Sequence, residues 1–215
     1  MIVEKASPQI YLLRHGETDA NKNRVIQGKG FNPQLNTVGI WQAKRVGAYI
    51  HRHFERPRSL CVSPLRRAIH TAEIVQNKLY RWWEKPCLME IVYGLEEIDY
   101  GDLEGKTWEE IRAVYQNAEE IYDGSILDTI YPNGEKIRDV RKRVVNAFER
   151  IVRHYYRESP ILIVSHGGTL RLLVSWILQT DNIRAINHSN TGLSVIEYRE
   201  GRWNIQLLNS TTHLL

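Results

Sequence analysis

Two short segments place a histidine where an apolar run gives way to glycine: Arg14-His15-Gly16-Glu17 closing QIYLLR, and Ser165-His166-Gly167-Gly168 closing ILIVS. Runs of this kind read as buried strands, and glycine beside an imidazole leaves room for a ligand to approach the ring. A single histidine at a strand end is better explained as a satisfied, partly buried residue. The repetition of the pattern points to two imidazoles converging on one pocket. Ser63-Pro64-Leu65-Arg66-Arg67-Ala68 adds Arg66 at the start of a helix, directly after another apolar run, SLCVS. Arg14 and Arg66 offer planar, permanently charged donors that grip a phosphoryl group through paired hydrogen bonds; the plainer alternative for either is a surface salt bridge. Glu96-Glu97, in the loop after LMEIVYGL, offers a carboxylate to protonate a leaving oxygen, with a solvated loop acid as the alternative. These residue types together suit phosphoryl transfer.

The elements that must position them alternate along the chain. A strand over 9–14 runs into HGET and a polar loop to about Gln34, and Asn36 or Thr37 caps a helix from about 38 to 54. Val38, Trp41, Val46, Tyr49 and Ile50 form its apolar stripe, and Pro57 stops it. A short strand at 59–63, a helix over 65–80, a strand at 88–95 and a weaker helical stretch at 107–122 follow. The turn YPNGE opens a long helix to about Tyr156, with Ile137, Val140, Val144, Phe148, Ile151 and Val152 on one face. ILIVS at 161–165 is again a buried strand, followed by the helix TLRLLVSWIL. LSVIEYR and WNIQLLN, joined by the turn EG, read as a hairpin. This alternation predicts an α/β fold: a three-layer α/β/α sandwich with a mostly parallel central sheet, in one domain spanning 1–215. In such sheets ligands bind at the C-terminal strand ends, where His15 and His166 both fall. The stretch 106–131, with Trp108, Tyr115, Tyr122 and Tyr131, reads as a lid-like insertion whose aromatics either stack on a substrate or pack into the core.

Composition excludes several classes. Apolar residues at 42% and charged residues at 25% describe an ordinary globular domain, neither disordered nor fibrous. Lys plus Arg exceed Asp plus Glu by 29 to 25, a formal charge of +4 that favours anionic ligands. The cations form no stripe, so nucleic acid is not an expected partner; the Arg138 to Arg143 cluster, at helical spacing, reads as a solvated helix face. Cys61 and Cys87 sit in apolar runs and read as reduced core residues. The start of the chain has no signal-peptide pattern and no 18-residue apolar stretch occurs, so no membrane is expected and a cytoplasmic location is. Tyr80, Trp82 and Trp83 near a helix end read either as an apolar patch in a homodimer or as packing under the next loop.

LLRHGET with Asn21 beyond it, SPLRRAIHTA, LEEIDYGDLEG, PNGE, VSHGG and NTGLSVIEY occur in that order. The ordered set resembles the histidine phosphatase superfamily, in its phosphoglycerate mutase-like branch, from about residue 9 to the closing hairpin. Within that branch it looks most like the broad-specificity and α-ribazole phosphatases. The resemblance implies that His15 is the nucleophile, forming a phosphohistidine, and that Arg14, Arg66 and His166 clamp the phosphoryl oxygens with Asn21 as a further contact. The family's acid lies four residues before the loop glycine, here Gly101, which makes Glu97 the general acid and then base, with Glu96 and Asp99 as neighbours. Asn32 and Asn36 stand where the family more often has an acid and a Thr or Ser, and Leu103 where it frequently has Trp. The implied substrate is a small phosphorylated metabolite, with no cofactor and no metal.

Rival readings remain. A phosphoglycerate mutase would use the same histidine and acid, but only 69 positions separate Glu97 from His166, too few for a long substrate insertion. A metal hydrolase lacks a clustered ligand set such as HExxH, and rim arginines would repel a dication. Gly28-Lys29-Gly30 is not a dinucleotide fingerprint, and neither GxxxxGK[ST] nor GxSxG occurs. A non-catalytic phosphate-binding module would be expected to have lost His15, Glu97 or His166, and all three are present.

Overall fold

The computed structural model describes residues 7–80, 84–114 and 126–215. Strands β1 (Gln9–Arg14), β2 (Ser59–Val62), β3 (Leu88–Ile91), β4 (Ile161–Ser165), β5 (Leu193–Arg199) and β6 (Arg202–Ser210) form one six-stranded sheet in the order β3-β2-β4-β1-β5-β6. The first four in that order run parallel; β5 pairs antiparallel with β1, and β6 with β5. The predicted hairpin is present, and both of its turn residues, Glu200 and Gly201, have positive φ, the backbone that matches the twist of paired strands.

Strand side chains alternate between two cores. Ile10, Leu12, Ile161 and Ile163 join the cluster under α5 (Ile137–Tyr155) and α6 (Gly167–Ile177); Tyr11, Leu13, Leu162 and Val164 join the one under α2 (Thr37–His53) and α3 (Arg66–Leu79). The result is the expected three-layer sandwich: a period-two strand pattern serves two helical layers when both faces are covered. The remaining helices are α1 (Asp19–Lys22) and α4 (Trp108–Val114), both near the C-terminal strand ends. Among the described residues, no helix is long and apolar enough to cross a membrane.

Three local expectations need correction. In α2 the buried face is Gly39, Gln42, Ala43, Val46, Gly47 and Ile50, while Val38 and Trp41 of the expected stripe are 46% and 47% exposed. Small residues face inward there because the helix is pressed against backbone: a Cβ on Gly39 would lie 2.1 Å from the Glu17 carbonyl oxygen. The strand expected over 88–95 covers only Leu88–Ile91, lies at the sheet edge and is largely exposed, and Cys87 just before it is half-buried rather than in a core strand. Of the two readings of Tyr80, packing has contacts behind it: its hydroxyl donates to the Pro57 carbonyl at 2.7 Å and the Arg56 guanidinium covers its ring. Trp82, Trp83, Tyr115 and Tyr122 lie outside the described residues, while Trp108 and Tyr131 border the cavities at the strand ends.

Candidate active site

β1 and β4 are in register, Arg14 opposite Ser165, so His15 and His166 leave the sheet side by side with ring centres 5.1 Å apart. His15 is 2% exposed. Its Nδ1 lies 2.7 Å from the Gly16 carbonyl oxygen, a pure acceptor, so Nδ1 carries the proton and Nε2 the lone pair. Arg67 Nε donates to that Nε2 at 3.3 Å. The His15 backbone is held on several sides: its N–H donates to the Ser165 carbonyl, and its own carbonyl accepts from the Thr191 N–H and from Asn190 Nδ2. Burial, then the Arg67 and Arg14 guanidinium groups, push the His15 imidazole well below its ordinary 6.5, so the ring stays neutral and nucleophilic.

Of the residues expected to hold a phosphoryl group, Arg14 and His166 lie beside His15, but the arginine of the third segment that faces it is not Arg66. Arg66 is exposed; Arg67 is fully buried and faces His15. Both open α3, where neighbouring side chains diverge by about 100° around the axis, so one residue of register decides which points inward. Arg67 is fixed by donating through Nη2 to the Gly28 carbonyl at 2.7 Å and through Nη1 to the Phe31 carbonyl. That loop is itself folded around Glu104, whose carboxylate accepts the Lys29, Phe31 and Tyr100 N–H groups. Arg14 donates through Nη1 to the His188 carbonyl at 2.7 Å, leaving its Nε buried and unpartnered. The Ser63 hydroxyl holds His166 Nε2 at 2.7 Å while Nδ1 has no partner, and burial together with Arg67 keeps this ring neutral too. These idle, water-excluded donors are what an anion entering the cavity would satisfy.

Asn21 also borders the cavity. It forms a capping box with Thr18 at the start of α1, and Thr18 and Asn190 occupy its Oδ1, which leaves the Nδ2 donors unused. Glu97, on the opposite side, lies against the N-terminus of α6: the Gly168 N–H donates to Oε2 at 3.0 Å, and the Ile98 and Thr169 N–H groups to Oε1. Glu96 points away and accepts the Gly94 N–H. His15, Arg14, Arg67, Asn21 and Glu97 thus line one cavity of about 370 Å³. A larger one, of about 950 Å³, lies between the end of α6 and the β5–β6 hairpin, away from these groups. Among the described residues no group of three or more His, Cys, Asp or Glu side chains is placed to hold a metal ion.

The profile of the histidine phosphatase superfamily (branch 1) matches residues 10–211, a span that contains every one of these side chains. The chain belongs to that superfamily. Relatives within that superfamily are named phosphatases, and the chain is placed in the same enzyme class. The uncharacterized phosphatase PhoE of Bacillus subtilis is 34% identical over 208 residues, 95% of this chain and 96% of that protein. The metal-independent phosphoserine phosphatase of Arabidopsis thaliana is 30% identical over 99% of this chain and 85% of its own length. The solved structure of Bacillus stearothermophilus YhfR superposes with a TM-score of 0.81 at 29% identity, covering 96% of this chain and 99% of that one.

In this histidine phosphatase several supporting residues carry no local sequence signal. Arg143, expected on a solvated helix face, instead spans the Glu97 loop: it donates to the carbonyls of Gly94, Glu96 and Glu97 and pairs with Glu135 at 2.8 Å. His188 and Asn190 arrive from the loop before β5, Thr71 receives the Gly16 N–H, and Ser63 orients His166. The signal that existed was SPLRRAIHTA itself, in which Thr71 lies one turn after Arg67 and bonds back to its carbonyl.

Proposed function

We propose that this protein hydrolyses small phosphomonoesters through a phosphohistidine on His15. The observation that carries the reading is the fixed tautomer of His15: Nδ1–H is committed to Gly16, and Nε2 faces the cavity with its lone pair beside Arg67. In the first step Nε2 attacks phosphorus and the P–O ester bond breaks, while Glu97, protonated, gives its proton to the departing alkoxide oxygen. Arg14, Arg67, the His166 Nδ1 edge and Asn21 Nδ2 take the three non-bridging oxygens, supplying charge where a loose phosphoryl-transfer transition state needs it. In the second step the Glu97 carboxylate takes a proton from water, the oxygen attacks phosphorus, and the P–N bond breaks. Inorganic phosphate leaves, His15 is regenerated neutral, and Glu97 again holds its proton.

The test is phosphate release from an aryl phosphate with chelator present, comparing the unsubstituted protein with His15→Ala. Activity should be retained under chelation and fall by at least about 10⁴-fold in the variant, the loss typical when a catalytic nucleophile is removed. Turnover surviving in the variant would remove His15 from this role; transfer of the phosphoryl group to a second alcohol instead of water would make the enzyme a mutase.

A further inference from the structure

Arg171 lies one turn into α6 beyond Gly168 and borders two cavities at once. One is the cavity that holds His15; the other, of about 230 Å³, has a mainly apolar wall that includes Ile98, Ile126, Ile137 and Ile183. Tyr100, Trp108 and Gly168 also border both, so the two spaces adjoin across Arg171. Unlike Arg14, Arg67 and Arg143, this guanidinium has no hydrogen bond and no ion pair with any described residue, and its Nε is buried without a partner. A partly buried guanidinium left unpaired is unfavourable, and an anion from outside relieves it. The transferring phosphoryl group already has Arg14, Arg67, His166 and Asn21 as donors. Arg184 also borders the smaller cavity but already has a partner, so Arg171 offers one unpaired planar fork with one positive charge, which best matches a carboxylate bound through two parallel hydrogen bonds.

We propose that Arg171 is a specificity-determining residue that binds a carboxylate carried by the substrate a few bonds from its phosphoester, with Tyr100 and Trp108 flanking the carbon skeleton between the two charges. The proposal rests on the phosphatase reading above and adds the chemical class of the ester: a small phosphorylated carboxylic acid. It separates such substrates from neutral or cationic phosphomonoesters, which leave the guanidinium unpaired.

The matched probes are O-phosphoserine and phosphoethanolamine, which differ only in the carboxylate. The unsubstituted enzyme should show the higher kcat/KM for phosphoserine. Arg171→Gln should lower the phosphoserine to phosphoethanolamine ratio about ten- to a hundredfold, the change expected from one charged hydrogen-bonded contact, and Arg171→Lys should restore part of it. A ratio unchanged in Arg171→Gln would overturn the proposal, and so would an equal loss for both substrates, which would place Arg171 in the phosphoryl clamp. Calorimetric binding of the two probes to His15→Ala, with and without Arg171→Gln, reads the same carboxylate preference without turnover. Failure of the phosphatase reading would appear separately, as no phosphate release from either probe or from an aryl phosphate.

Discussion

The lone pair on His15 Nε2 is kept available by effects that outweigh one opposing contact. Burial disfavours the charged ring, and two guanidinium groups add repulsion; only the Gly16 carbonyl, holding Nδ1–H, works against them. In the proposed mechanism Arg67 therefore has two tasks, guarding the neutral nucleophile and then taking a phosphoryl oxygen. Arg67→Ala should lower kcat by about 10²- to 10³-fold, the loss seen when one donor to a developing charge is removed, whereas Arg66→Ala should stay within about threefold, as for other exposed positions. Steady-state kinetics on one aryl phosphate checks both, and an equal effect of the two substitutions would contradict the assignment. Which of these arginines faces inward was not legible from the sequence. Strand β2 and helix α3 are joined by three residues, and an uncertainty of one residue in where the helix begins rotates its first side chains by about 100°.

At the scale of elements, the strands were legible because continuous apolar runs such as ILIVS occur where a parallel sheet is covered on both faces. The cap of α2 was legible too: the Asn36 side chain accepts the Gly39 N–H at 2.8 Å. What could not be read was the contact between elements far apart in sequence. Gly39 is the clearest case, since its need to be glycine comes from the catalytic loop: a Cβ there would meet both the carbonyl oxygen and the nitrogen of Glu17, while a Cβ on Gly16 would meet the Gly39 carbonyl oxygen at 2.5 Å. The first turn of α2 and the backbone after His15 interlock with no side chain between them. Gly39→Ala should cost about 1–3 kcal/mol of stability, as overpacking does, and should also lower kcat by displacing Gly16. Urea unfolding combined with kinetics separates the two effects, and an unaltered kcat would show that α2 does not set the position of the nucleophile. Arg143 was misread for the same reason: a cation at helical spacing looks solvated until the loop it spans is folded over it.

For the whole molecule, buried histidines link the fold to pH. Burial pushes His188 and His213 down to about 4, and His15 and His166 also lie well below 6.5. Below pH 6.5 the unfolded chain takes up protons at these positions that the folded protein does not, so stability is fully present above about pH 7 and declines as the pH falls through 6.5 toward 4. The Tm should therefore drop by several degrees between pH 7 and pH 5, before carboxylates begin to titrate. His188→Asn and His213→Asn, compared by thermal unfolding at both pH values, should each reduce that drop. A Tm independent of pH over this window would show that the four rings are solvated.

The position of β1 has a kinetic consequence. It lies inside the sheet, bonded to β4 on one side and β5 on the other, and carries His15 at its end. Its amide protons belong to the part of the molecule that exchanges with solvent only when the whole domain opens. The proposed nucleophile thus has no private route to disorder: partial unfolding at the exposed β3 edge leaves His15 in place, and heat inactivation should coincide with cooperative loss of the native state.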